Sequence, residues 1–249
     1  MPKDIVVVAA AYGSQKVREL GGQRALIPIV AAAGADGIEI RRELLSDDEL
    51  TQLPALGQAI ASAHLDAFYS VPDALFTAGG QLNPDLDRHL REAEHLRARL
   101  IKYSLGHYRK DFQTVEIERR LAGKAIQLVV ENDQTECGKL NHFSGFFHAA
   151  GGQPFCHGLT FDMGNWLWVG DSPLRAAEQL NTYVSYIHVK AAERVTAGWR
   201  AISLDDADDL WRKTLALLPD NVPHAIEFPL EGTDLVAITR HYVDLLRKE

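Results

Sequence analysis

The sequence predicts an α/β chain closed into one (β/α)8 barrel domain covering residues 1–249. Three observations predict it. Eight short β-type runs alternate with amphipathic helical segments. No linker-like or low-complexity stretch interrupts that alternation, and 249 residues suit one such barrel. In the second half, apolar residues occupy both faces of the runs and polar groups gather at their C-terminal ends, as in buried parallel strands. Strand count alone does not force closure, so an open doubly wound sheet is the runner-up.

The predicted strands are 5–10, 37–41, 66–70, 100–104, 126–131, 159–162, 183–189 and 224–228. The opening MPKDIVVV imitates a signal peptide only faintly, since Asp4 interrupts the charged region and Val6 to Val8 favour a strand. Ser46-Asp47-Asp48-Glu49 has the pattern of a capping box, in which hydroxyl and carboxylate satisfy free amides reciprocally. Ser172-Pro173 sets a cap before a proline at the first helical position, where no amide hydrogen is missed. Leu86, Leu90, Ala93, Leu96 and Leu100 recur at helical spacing, and Leu235, Ile238, Tyr242 and Leu245 form a similar stripe near the end. The charged faces of these helices are solvated surface.

Composition narrows the function. Hydrophobic residues make up 46% and charged residues 24%, ample for a large core. A net charge of −8 gives no footprint for nucleic acid or an anionic membrane, and no stretch is long enough to span a bilayer. Cys137 and Cys156 form neither a disulfide framework nor a metal-type pair, which fits a reducing cytoplasm.

Four runs end in groups able to bind a divalent cation: IQLVVEND at Glu131, LTFDMGN at Asp162, YIHVKA at His188 and HAIEFPL at Glu227. Each has an ordinary explanation alone. His188 can be a hydrogen-bonded core histidine, Glu131 can pair with Lys102, and Asp162 can bond local turn amides. On neighbouring parallel strands, however, all four converge at one mouth. A cation there stabilises the enediolate formed when a proton leaves the carbon beside a carbonyl, while one group removes the proton and another returns it.

GADGIEIRREL, LVVEND, TFDMGNW, YIHVK and AIEFPLEG resemble the strand-end motifs of the xylose-isomerase-like TIM barrels, from the second strand to the last helix. That superfamily includes sugar and sugar-phosphate isomerases and epimerases, inosose dehydratases and endonuclease IV. A likeness to a subgroup linked to ketogluconate catabolism accompanies it and assigns no substrate. The resemblance implies a metal held by Glu131, Asp162, His188 and Glu227, with Glu131 and Glu227 exchanging the proton. Many relatives carry histidine three residues after the aspartate; here Asn165 stands there, which argues against a trinuclear zinc nuclease.

The expected activity is therefore a metal-dependent sugar epimerase or isomerase acting on a keto sugar, sugar acid or sugar phosphate. The donor set favours Mn²⁺ or Mg²⁺ over Co²⁺ or Zn²⁺. An inosose-dehydratase-like lyase is the alternative, and a non-catalytic sugar-binding barrel ranks below it. Candidate substrate-binding residues are Glu39, Arg41, Lys102, Asn132, Asn165, Lys190, Arg194 and Arg200. Glu39 and Arg41 serve equally well as a barrel salt bridge, and the two asparagines can instead order their loops. Trp166 and Trp168 wall the pocket or pack against the barrel. Gly232-Thr233-Asp234 at the last helix is a phosphate-site candidate that capping explains as well. The expected partner is a small carbohydrate, with neither nucleic acid nor membrane, and a homodimer is the default assembly.

Overall fold

Strands rich in Val, Ile and Leu on both faces bury both faces, which a parallel sheet covered by helices provides. A computed structural model describes residues 3–112, 114–148 and 155–249 and has this arrangement. The barrel strands are β1 (Ile5–Val8), β2 (Gly37–Arg41), β3 (Asp66–Phe76), β4 (Leu100–Gly106), β5 (Gln127–Glu131), β6 (Leu159–Asp162), β7 (Val184–Val189) and β10 (His224–Ile226). A hairpin of β8 (Ala191–Val195) and β9 (Gly198–Ile202) sits between β7 and β10. The eight parallel strands close in the order β1-β10-β7-β6-β5-β4-β3-β2, so the open doubly wound sheet is excluded.

Alternation sorts each strand. Ile5, Val7, Ile38 and Ile40 face the large core between barrel and helices. Val6, Val8, Phe68, Leu100, Val129, Tyr186 and Ala225 form a second cluster along the barrel axis. Phe68 and Tyr186 stack there with centroids 5.0 Å apart. Gly37 makes room for them, because a Cβ at that position would lie 2.9 Å from the Phe68 ring. The axial cluster is apolar toward the N-terminal ends of the strands. Glu39, Lys102, Glu131, Asp162, His188 and Glu227 lie two positions farther along the alternating rows or at their ends.

The helix signals are observed where the local chemistry is complete. Ser46 and Glu49 form both halves of the capping box, at 3.2 Å and 2.8 Å. Ser172 accepts from the Arg175 amide ahead of the helix that begins at Pro173. The helix Leu86–His95 buries Leu86, Leu90 and Ala93, but Leu100 belongs to β4. In the last helix, Leu235–Lys248, the buried face is Thr239, Tyr242, Val243 and Leu246, one step from the expected stripe. The polar Thr239 belongs to that face because its hydroxyl donates to the Leu235 carbonyl and bonds the Tyr12 hydroxyl at 2.8 Å.

Six of the eight strands differ in their bounds from the sequence expectation: β5 and β7 start one residue later, β4 runs on to Gly106, β10 stops at Ile226, and β1 and β3 have local causes. β1 stops at Val8 because residues 9–12 coil into a 3-10 turn ending at Gly13, whose φ of 80° suits glycine. β3 continues past Pro72 to Phe76, with a register shift between Ser70 and Ala74 where proline supplies no amide hydrogen. The hairpin was not foreseen, since its half-exposed strands lack a continuous apolar run. Among the described residues, no helix is long and apolar enough to cross a membrane.

Candidate metal and acid–base site

The strand register brings the four expected ligands to one end of the barrel. Glu131 is the last residue of β5 and pairs with Thr160 of β6. Asp162 ends β6 beside His188 of β7, and His188 lies beside Ala225 of β10, two residues before Glu227. One donor atom from each of Glu131, Asp162, His188 and Glu227 lies within 4.8 Å of the others. All four were named from sequence, and the fold assembles them.

His188 is the hub. Its Nδ1 is 2.9 Å from both Glu131 Oε1 and Glu227 Oε2. One imidazole nitrogen carries at most one hydrogen, so it cannot satisfy both carboxylates. The bond is made to Glu227, leaving the buried Glu131 Oε1 without a hydrogen-bond donor. On the other side of the ring, Nε2 meets Glu39 Oε2 at 2.8 Å. Tyr186 donates to the same Glu39 oxygen at 2.9 Å.

Cations surround this core. Lys102 donates to Glu131 Oε2 at 2.6 Å and lies 3.7 Å from Glu39. Arg41 donates to Glu227 Oε1 and Glu43 Oε1, each at 2.8 Å. The backbone of Arg41 is clamped by the buried Gln23 amide. Lys190 reaches Asp162 Oδ2 at 3.1 Å, Asn165 Oδ1 at 3.2 Å and Glu227 Oε2 at 3.3 Å. Gly164 lets that lysine pass, because a Cβ there would meet its side chain at 2.9 Å. Four carboxylates, Glu39, Glu131, Asp162 and Glu227, thus face three permanent cations, Lys102, Arg41 and Lys190. A fourth positive charge balances the set.

Titration follows from that deficit. Burial opposes charge on His188, yet Glu39 and Glu227 raise its pKa well above the usual histidine value. Burial works against ionised Glu39 too, but Lys102 and His188 hold its carboxyl down at about 2. Glu227 lies well below the ordinary range because Lys190 and His188 outweigh its burial. Asp162 goes the other way: burial lifts it to about 7, with Lys190 opposing and Glu227 adding to the rise. A buried set of carboxylate oxygens and one imidazole nitrogen, in which a cation could replace the His188 proton, fits a divalent ion of hard or borderline character.

The remaining sequence candidates separate into three groups. Glu39 and Lys102 are side chains within the barrel, with 0% and 1% exposure, behind the ligands. Asn132 and Asn165 tie β5 to the loop after β6: the Asn132 side chain bonds the backbone N and O of Asp162, and Asn165 donates to the Asn132 carbonyl. Asp162 Oδ1 accepts the Gly164 and Asn165 amides, so the turn expected at FDMGN coexists with the cluster. Arg194 and Arg200 lie on the hairpin, away from the quartet. Arg194 stacks on Trp199 at 5.5 Å and Arg200 pairs with Glu193. Trp166 is core, packed on Phe143 and Phe161, while Trp168 lies beneath the Lys190 ammonium at 5.9 Å. Asp234 caps the last helix with its own carboxylate, accepting from the Ala237 amide. Tyr186 and Gln134, which donates to Asn165, received no role from sequence. Tyr186 was accessible by period two from His188; Gln134 carried no local signal.

A cavity of 340 Å³ opens over Glu227 and Lys190, lined also by Tyr12, Gly13, Ala201 and Phe228. A larger recess of 540 Å³, containing none of the quartet, adjoins it across Ala201, Pro229 and Glu231 and includes Arg200.

No protein-family model and no curated protein matches the sequence. Solved structures do match over nearly the whole chain. D-allulose 3-epimerase from Methylomonas sp., in complex with D-allulose, has a TM-score of 0.69 at 14% identity, with 99% of this chain and 97% of that chain covered. The probable 3-DHS dehydratase AsbF of Bacillus anthracis, involved in petrobactin synthesis, has a TM-score of 0.68 at 14% identity, covering 98% of each. A xylose isomerase-like TIM barrel/4-hydroxyphenylpyruvate dioxygenase fusion protein reaches 0.71 at 13% identity, over 98% of this chain and 42% of that one. The fold of this chain is that of the xylose-isomerase-like TIM barrels.

Proposed function

We propose that this protein is a divalent-metal-dependent epimerase or isomerase of a keto sugar, with Glu131 and Glu227 as its acid–base pair. The observation that carries the reading is the His188 imidazole held between those two glutamates, with Asp162 completing a four-donor cluster within 4.8 Å. Glu131, Asp162, His188 and Glu227 would hold the cation, and Mn²⁺ or Mg²⁺ suits three carboxylates and one imidazole best. When bound, the ion supplies Lewis-acid stabilisation of the enediolate oxygens.

The protein's own groups do the rest. One of the two glutamates removes the proton beside the carbonyl, and the other returns it. Return to the same carbon from the opposite face gives an epimer; return to the neighbouring carbon gives an aldose–ketose isomer. Lys190, a permanent cation at the edge of the cavity, contacts the substrate oxygens. Arg200, which lines the adjoining recess, and Arg194 beside it on the hairpin would contact only substrate groups remote from the quartet, and Arg41 fixes the Glu227 carboxylate. Asn132 and Asn165 hold the loop on which Asp162 sits. Glu39 and Lys102 act from inside the barrel, without substrate contact.

Incubating the metal-supplied protein with a ketose panel in deuterated buffer tests the reading. Solvent deuterium is expected on the carbon beside the carbonyl; none across the panel would sink it. A dehydratase is the second reading, favoured by the near-equal likeness to the probable dehydratase, at TM-score 0.68 against 0.69. Its mark is loss of water with an absorbing enone product.

A further inference from the structure

We infer that Glu39 is a positioning residue that fixes the tautomer of His188, so that Nδ1 is the nitrogen presented to the metal. This inference rests on the proposed metal site. Glu39 comes from β2 and His188 from β7, strands that are not neighbours in the barrel, so the contact spans its interior. Both residues are fully buried.

The donor arithmetic is strict. Glu39 Oε2 receives the Tyr186 hydroxyl at 2.9 Å and His188 Nε2 at 2.8 Å. Its other oxygen faces Lys102 at 3.7 Å and Arg41 at 3.8 Å, which hold the group as a carboxylate. A carboxylate only accepts, so the hydrogen between it and the imidazole belongs to Nε2. Nδ1, which bonds Glu227, is then the nitrogen that would give up its hydrogen to a cation lying toward Glu131 and Glu227. A carboxylate behind a ligating histidine also raises the basicity of that ligand.

Glutamine at position 39 would break this arrangement while preserving its shape. If the amide oxygen faces Tyr186 and His188, the NH2 group is forced against Lys102 and Arg41. If the amide turns over, its NH2 group meets two donors, and the imidazole loses its reason to keep hydrogen on Nε2.

The test is calorimetric titration of metal-stripped protein with Mn²⁺, paired with ¹⁵N NMR of labelled histidine in the Zn²⁺-loaded form. Glu39→Gln is expected to bind Mn²⁺ about 10–100-fold more weakly than wild type. The wild-type His188 signal should show hydrogen on Nε2 only, and the variant should lose that signature. Wild-type affinity and an unchanged His188 signal in Glu39→Gln overturn the inference while leaving the metal site standing. Absence of Mn²⁺ binding by wild type overturns both. If Glu39→Gln does not fold, Tyr186→Phe decides: it removes the second hydrogen bond that orients Glu39, and unchanged Mn²⁺ affinity rejects the inference.

Discussion

The two halves of the barrel build the site from different materials. β5 and β6 end in Glu131 and Asp162, β7 carries His188 one residue before its end, and Glu227 follows β10, all at the rim. From the first half, β2 and β4 contribute Arg41 and Lys102 as counter-charges to Glu227 and Glu131, and Glu39 as the counter-charge to His188. β1 sends only Val6 and Val8 to the axis. The second half offers the donors together with Lys190, and the first half supplies the remaining charges that hold them. A buried quartet of this kind is costly without such partners, since each uncompensated carboxylate disfavours the folded state.

The largest effect should come from the donor half. Glu227→Gln keeps the shape but removes the proton-transfer group, and a loss of about 10²–10⁴-fold in deuterium exchange is expected. Glu131→Gln should behave alike. Exchange at wild-type rates in either variant would return both residues to a purely structural role.

The supporting half should respond in stability first. Lys102 is 1% exposed and its ammonium is bound to Glu131. Lys102→Met leaves buried carboxylates unpaired and should cost about 3–5 kcal/mol in urea unfolding. Supplying Mn²⁺ should recover part of that loss if the quartet binds it. A cost near zero would mean that water reaches Glu131 and that the division between the halves is artificial.

The opposite end of the barrel sharpens the comparison through pH. His224 begins β10, away from the mouth, and burial with the nearby Lys3 ammonium lowers its pKa to about 4. Because the folded value lies below the ordinary 6.5, the unfolded chain takes the proton more readily. The stability this confers is full above 6.5 and is lost as pH falls toward about 4, by about 3 kcal/mol in all. His224→Gln should flatten that slope in pH-dependent melting. Glu39, held at about 2, adds a further loss only below about pH 4.5, so the floor should weaken before the mouth.

The smallest effect lies on the hairpin. Arg200 pairs with Glu193 on the surface, and such pairs contribute little. Arg200→Ala should leave the melting temperature unchanged. A rise in KM with constant kcat would place Arg200 at the substrate; unchanged KM would confine it to the hairpin.

Legibility followed the range of the interactions. The quartet could be read because each member ends an apolar run, and period-two alternation aims a strand's last polar residue at the barrel mouth. The same rule placed Glu39 and Lys102 inside, but their partners are not set by their own strands. Glu39 meets His188 and Tyr186 across 149 and 147 positions of sequence, so the choice between substrate contact and buried support was not local. Asn132 and Asn165 were likewise ambiguous until the loops came together. The hairpin escaped because its strands are half-exposed and carry no continuous apolar run.

By itself the sequence determined the eight-strand alternation, the capped helices and the identity of the four rim donors, because these depend on periodicity and on neighbours a few residues apart. Only the tertiary structure decided closure, the pairing of charges across the barrel and which face of His188 is already engaged. Those depend on strand order and on distances between residues more than a hundred positions apart, and local pattern carries no information about either.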